Sequence, residues 1–248
     1  QAVAGEPGQA QVDQVHFGTG WGPLSETHDF LTRLFESPER LASPIDFVGS
    51  VHNAPAGQLA IRNKATGPSA TATGGDSSFE QALFMAQLLA DQGQRILLVG
   101  ADEHHPALSP LFDPAAAVAG PADGGAAFLL STDAEGPVLT CLALVAGAGQ
   151  PSAEDLLEAL GASVQSDRYA AVFVDRPAAR FASTGPLEDE ILSGLGLAKL
   201  PRIHTRELVG EFASASAVGC ALAAHLIRRD RLPAGLCGGA ARSLSGRG

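Results

Sequence analysis

Phe79, Ala82, Leu83, Ala86 and Leu89 recur at the i, i+3, i+4, i+7 spacing of one helical face. Phe84, Met85 and Leu88 carry the apolar surface almost around the cylinder, so the pattern predicts a helix over 77–92 in the middle of the fold. Ser77 and Glu80 have the spacing of a capping box, and Gly93 supplies the stop. The next run, RILLVGAD, is continuously apolar before its final Asp102, as in a strand covered on both faces.

Strand and helix patterns alternate along the rest of the chain. Residues 15–19 predict a strand that leads into the glycine turn GTGWGP. Residues 25–42 carry Phe30, Leu31, Leu34 and Phe35 at helical spacing, with a break near Pro38. A short helix is expected over 53–63 and a compact strand over 69–73. The runs AAFLLS and VLTCLALV predict two further strands. Ser152 is placed to cap a helix bearing Leu156, Leu157 and Leu160, which Gly161 ends. AAVFVD reads as a buried strand, 187–195 as a helix, and 212–229 as a helix with a small-residue face. This order predicts an α/β protein in layers, with helices sandwiched by sheets. Residues 1–14 read as a polar, flexible tail and 15–248 as one domain, its first half ending near 147 and its second running over 148–248.

Composition narrows the function. The 248 residues carry 16 Lys and Arg against 27 Asp and Glu, a net charge of −11, which argues against a nucleic-acid partner because phosphate contacts need a basic surface. Charged residues make up only 17% of the chain, so much of the surface is expected to be Ala, Ser, Gly and Gln or to be covered by a partner. Cys141, Cys220 and Cys237 are odd in number and widely spaced, a pattern that suits a reducing cytoplasm rather than a disulfide framework. No apolar run approaches the ~20 residues of a membrane span, and the first residues lack the charged and apolar regions of a signal peptide. Asp102, Glu103, His104 and His105 are adjacent at a strand end, where successive side chains diverge. They are expected to be hydrogen-bonding loop residues rather than metal ligands. GTGWG does not meet the G-x-G-x-x-G spacing, and no cofactor is expected.

The stretch from Asn53 to Glu103 carries a more specific likeness. NAPAGQLAI, GPSATATGGDSSFEQAL and RILLVGADE together resemble the N-terminal half of the β-ketoacyl synthases of the thiolase superfamily. FGTGWGP and SVHNAPAG resemble the short, chain-length-factor type within that superfamily. Over the second half, GEFASASAVGCALAAHL is similar to the small-residue helix that follows a catalytic Gly-His or Gly-Asn. The resemblance implies a thiolase-like fold of two βαβαβ-type halves with helices between sheets, the second half abbreviated.

At the positions that carry chemistry the chain departs from the family. Counted from Gly67-Pro68, the nucleophilic cysteine is replaced by Asp76. The position of the first catalytic histidine falls at Asp175 and that of the second at Glu211, and the sequence contains no His-Gly dipeptide. Condensation needs a thiolate that exchanges acyl groups as thioesters, and an acyl-aspartyl intermediate would be a mixed anhydride, uphill from the thioester. The imidazoles that stabilise a decarboxylation enolate are also replaced. No catalytic residue is therefore expected, and the fatty-acid or polyketide synthase resemblance implies a pseudoenzyme.

The implied role is that of a chain length factor, which pairs with an active β-ketoacyl synthase and shapes the acyl tunnel, for instance in polyene biosynthesis. An acyl carrier protein would be engaged indirectly, through the partner, because both it and this chain are acidic. Asn53, Asp76, Phe79, Phe84 and Met85 are the expected pocket or tunnel positions, with core packing the plain alternative for the last three. Two other readings stay open. One is an acyl-thioester hydrolase, decarboxylase or transferase with Asp76 or Glu211 as base. The other is a homodimeric acyl-binding scaffold.

Overall fold

The computed structural model describes residues 11–36, 43–113, 120–133, 135–141, 144, 152–160, 164, 166–175, 185–237 and 241–244. Its largest sheet has four strands: β1 (Gln14–Gly18), β2 (Ser69–Ala72), β3 (Arg95–Asp102) and β4 (Gly124–Ser131), in the order β2-β1-β3-β4. β1 runs parallel to β2, with Val15 opposite Ser69, and parallel to β3, with Val15 opposite Leu97. β4 is antiparallel to β3, Leu98 facing Phe128.

Both faces of this sheet are covered, which is why its strands read as continuous apolar runs. On one face Val15, Phe17 and Val99 pack against Ala56, Leu59 and Ala60 of α3 (Ala54–Asn63). On the other, Ile96 and Leu98 meet Phe79, Ala82, Leu83 and Ala86 of α4 (Ser78–Leu88). The period of two along β1 decides which residue goes where. Gln14, His16 and Gly18 fall on the α4 face, and a Cβ at Gly18 would stand 2.6 Å from the Ser78 carbonyl oxygen.

Helix α9 (Ala215–Arg228) shares that face with α4. It packs on β3 and β4 on one side and on β5 (Val172–Val174) on the other. Its small residues allow this: Ala217 lies against Gly100, where an added Cβ would come within 2.6 Å of the Ala217 methyl. β5 pairs in parallel with β6 (Arg202–His204), and α8 (Thr205–Val209) follows directly. Ile203, Leu226, Leu232 and Leu244 form the core of this second part. Helices thus lie between two sheets, the layered α/β arrangement that the sequence pattern predicts.

The remaining described elements are α1 (Leu24–Glu36), α2 (Pro44–Ser50), α5 (Ser109–Phe112), α6 (Ala153–Leu160), α7 (Gly185–Gly194), β7 (Arg231–Leu232), α10 (Ala234–Cys237) and β8 (Arg242–Ser243). No helix among the described residues is long and apolar enough to cross a membrane.

Three local expectations are corrected. α4 begins without a capping box: the Ser77 hydroxyl donates to the Gly74 carbonyl and accepts from the Gln81 amide, while Glu80 turns inward. The described part of VLTCLALV, Val138 to Cys141, is not a strand. The Cys141 N–H is satisfied by the Gln87 side-chain oxygen at 2.9 Å rather than by a neighbouring strand. α2 was not expected. Ser43 caps it through the Asp46 N–H and Pro44 opens it, but Ile45, Phe47 and Val48 all remain exposed, so it carries no inward stripe to read. The cap predicted at Ser152 does form at α6, and the structure adds that Asp155 returns it: the Asp155 N–H donates to the Ser152 hydroxyl and the Ser152 N–H to the Asp155 carboxylate. The stop expected at Gly161 and the break near Pro38 lie outside the described residues.

Candidate functional site

The turn between β2 and α4 is held by its own hydroxyls. Gly74 N–H donates to the Ser78 hydroxyl, which donates to the Gly75 carbonyl at 2.6 Å, and Gly75 adopts φ +59°, a conformation that favours glycine. This turn presents Asp76 to the interior at the start of the central helix.

Arg206, the second residue of α8, meets it there. Its Nη2 donates to Asp76 Oδ1 at 3.1 Å, to Asp175 Oδ2 at 3.2 Å and to the Ala213 carbonyl at 3.3 Å. Its Nε donates to Asp175 Oδ1 at 3.1 Å and its Nη1 to Glu211 Oε2 at 3.0 Å. The guanidinium is 4% exposed. Three carboxylates from three separate places in the chain therefore converge on one planar cation, the fork geometry that arginine supplies and lysine does not.

Each carboxylate is fixed by its backbone. Asp175 follows directly on β5. Glu211 lies beyond Gly210, whose φ of +86° turns the chain, and is bridged on both sides: its N–H donates to the Gly120 carbonyl and its carbonyl accepts from Ala122. Burial pushes the Asp175 carboxyl up, against the attraction of Arg206, and Asp76 and Glu211 push it further. For Arg206 itself burial works against the charge, but Asp175 and Asp76 outweigh it and the guanidinium is held charged.

Neither of the two described free thiols replaces Asp76 as a nucleophile. Burial pushes the Cys220 thiol up to about 12 and raises that of Cys141 as well, so neither is a thiolate at neutral pH. His16 is fully buried on β1 beside Gln14, and burial holds its imidazole neutral. A crevice lined by Trp21, Asp113, Glu211 and Phe212 reaches the cluster from one side, with space of about 20 Å³, room for one water.

The sequence-predicted residues fall into two groups. Asp76, Asp175 and Glu211 are brought together on Arg206. Asn53 lies exposed before α3, on the other face of the sheet. Phe79 is 1% exposed and meets Phe128 in a tilted ring contact in the core, whereas Phe84 is 38% exposed and Met85 packs partly buried on the core beside it. Arg206 carries no signal of its own in the sequence. The hint was indirect: three acidic residues expected to meet in a buried place require a cation.

The residues at the end of β3 are hydrogen-bonding residues. The Asp102 carboxylate accepts from the Thr19 hydroxyl at 2.8 Å, the Gly20 N–H at 2.7 Å and the Ser214 N–H at 2.8 Å, tying β1, β3 and the start of α9 together. Glu103 accepts from the Ser25 N–H and hydroxyl in the first turn of α1. His104 N–H donates to Asp123, and His105 Nδ1 accepts from Ala107 and Leu108. No group of three or more metal-ligating side chains occurs among the described residues.

The β-ketoacyl synthase N-terminal domain model matches residues 7–169, and the chain belongs to that family. No curated protein matches it. Among solved structures it is similar to a β-ketoacyl synthase from Burkholderia phymatum, at 14% identity and a TM-score of 0.67, over 97% of this chain and 72% of that one. It is also similar to the ishigamide ketosynthase/chain length factor, at 23% identity and a TM-score of 0.62, over 89% of this chain and 66% of that one. A ketosynthase in complex with its chain length factor from Xenorhabdus doucetiae aligns at 29% identity and a TM-score of 0.43, over 51% of this chain and 52% of that one. The family match and the Burkholderia structure show that the fold is that of the β-ketoacyl synthases. This chain spans 52%, 72% and 66% of the three solved chains.

Proposed function

We propose that this chain is a non-catalytic ketosynthase-like subunit, a chain length factor that pairs with an active β-ketoacyl synthase and shapes the acyl tunnel of a fatty-acid- or polyketide-like pathway. The observation that carries the reading is the bond from the buried Arg206 guanidinium to Asp76. A carboxylate stands at the family's nucleophile position, and a cation is spent on holding it. Such a centre neither accepts an acyl group from a thioester nor leaves space for one.

Surface features support a partner. β2 is bonded on one side only among the described residues, so its other edge is free to extend a sheet. α3 and α4 both pack on β2, and they expose Ile61 at 81% and Leu88 at 66%, next to the half-buried Phe84. α2 adds Ile45, Phe47 and Val48. Apolar side chains left in water on three helices suit a face that is covered in an assembly. The acidic chain leaves the docking of an acidic carrier protein to the partner.

The reading in which Asp76 or Glu211 is a general base is weaker, because Arg206 already occupies lone pairs of both carboxylates. The test is reconstitution with a ketosynthase of the same pathway. Co-purification and a shift in product length for Phe84→Ala or Met85→Ala are expected. Unchanged product distributions for both variants in a working pair would overturn the tunnel role.

A further inference from the structure

Two polar side chains lie on the face of β1 that meets α4, where a covered strand calls for apolar ones. Gln14 and His16 are 1% and 0% exposed. The Gln14 amide is oriented by its neighbours: its Nε2 donates to the Leu89 carbonyl just past α4, at 2.9 Å, and to the Gln94 side-chain oxygen just before β3. A backbone carbonyl only accepts, so Gln14 Oε1 is left as an acceptor, and it stands 3.0 Å from His16 Nε2. That fixes the tautomer. The His16 proton sits on Nε2 and the lone pair on Nδ1, which is buried and has no hydrogen-bond partner among the described residues.

We propose that His16 is an acid-sensitive lock between α4 and the central sheet. In its neutral form it completes a relay of buried hydrogen bonds that joins β1 to the end of α4 and the start of β3. A second proton would go on Nδ1, bringing a charge and a donor into surroundings that receive neither. The folded chain excludes that proton, and acid therefore favours states in which α4 has come away from β1.

The charged groups on the elements packed against β1 do not relieve this. β2 has none. On β3, Arg95 and Asp102 stand at the two ends, while Leu98 is the residue level with His16. Glu80, the acid of α4, faces Ser216 of α9 and the Arg206 cluster. Arg62 of α3 belongs to the helix on the opposite face of the sheet, and Asp13, ahead of β1, accepts from the Arg95 N–H. Burial alone accordingly lowers the His16 imidazole below its ordinary value of 6.5. A group lowered on folding binds its proton more weakly in the folded chain. Its contribution to stability is full above the ordinary value and is lost as the pH falls from there toward the lowered one.

The lock rests on this relay alone and stands whether or not the chain pairs with a ketosynthase. The experiment is urea unfolding of the full chain between pH 7.5 and pH 5 for the wild type, His16→Gln and His16→Phe, with nitrogen NMR of the imidazoles of the folded wild type. The other six histidines are common to all three proteins, so the difference between them isolates His16. Over that range the unfolding equilibrium constant of the wild type should rise by up to about 30-fold more than that of either variant. Hydrogen exchange of the α4 amides, corrected for its intrinsic pH dependence, should likewise quicken in acid more in the wild type than in His16→Gln. The His16 ring should stay neutral, with its proton on Nε2, down to pH 5. Parallel pH dependence in the wild type and both variants, or a His16 ring that titrates near its ordinary value in the folded chain, would overturn the proposal. Should either variant fail to fold, the imidazole spectrum of the wild type decides the question.

Discussion

Replacing Arg206 by Met removes the cation that Asp76, Asp175 and Glu211 share while keeping most of the side-chain volume. Breaking a buried ion pair by deleting one partner costs about 3–5 kcal/mol, because the other charge is left without compensation. Here the three carboxylates are between 6% and 18% exposed, so solvent compensates them poorly. Their separate costs are coupled and do not add, and about 3–5 kcal/mol is the expected total, equivalent to a Tm drop of roughly 6–20 °C for a chain of this size. The loss has a pH signature. The Asp175 carboxyl is already raised by burial, and without Arg206 it is raised further, so Arg206→Met should lose more stability at pH 8 than at pH 5. Urea unfolding of the full chain at both pH values is the assay. Combining Arg206→Met with Asp76→Asn, Asp175→Asn and Glu211→Gln should recover most of the loss, since a neutral cluster no longer needs the cation. Wild-type stability for Arg206→Met at pH 8, within ~0.5 kcal/mol, would refute the view that this guanidinium holds the site together.

Three other substitutions probe separate parts of the account. Asp102→Ala leaves the Gly20 and Ser214 N–H groups without their acceptor and should cost about 2–5 kcal/mol, with Asp102→Asn in between, measured by chemical denaturation. Phe79→Ala opens a cavity in the core and should cost ~3–5 kcal/mol, whereas Phe84→Ala on the half-exposed flank should change the stability of the isolated chain by under about 1 kcal/mol and act only on product length in the pair. Asp76→Cys restores a sulfur but not the imidazoles, and places the thiol against Arg206. Intact-mass measurement after incubation with an acyl thioester should show no lasting acyl adduct and no condensation product.

The fold was largely legible in the chain because its buried elements obey simple periods. β3 reads as a strand because α3 and α4 cover its two faces, and α4 as a helix because Phe79, Ala82, Leu83 and Ala86 all turn to the sheet. What was illegible depends on contacts between distant segments. Glu80 has the spacing of a cap, yet the turn is already satisfied by Ser77 and Ser78, so the side chain goes inward. Gln87 takes the backbone of Cys141 and removes the need for a strand there. α8 is five residues long, too short for any periodic signal, so nothing in its sequence marks Arg206 as the centre of the site. The acidic positions were visible through their likeness to a family pattern; the cation that joins them was visible only once the halves were folded together.

The proposed role requires a centre that holds its place without reacting. Intact-mass spectrometry of this chain after incubation with acyl and malonyl thioesters, alone and together with a catalytically active ketosynthase, tests it most directly. The predicted result is an unmodified mass for this chain under both conditions, with acyl groups found on the synthase alone. A covalent acyl adduct on this polypeptide, or carbon–carbon bond formation by the chain on its own, would contradict it.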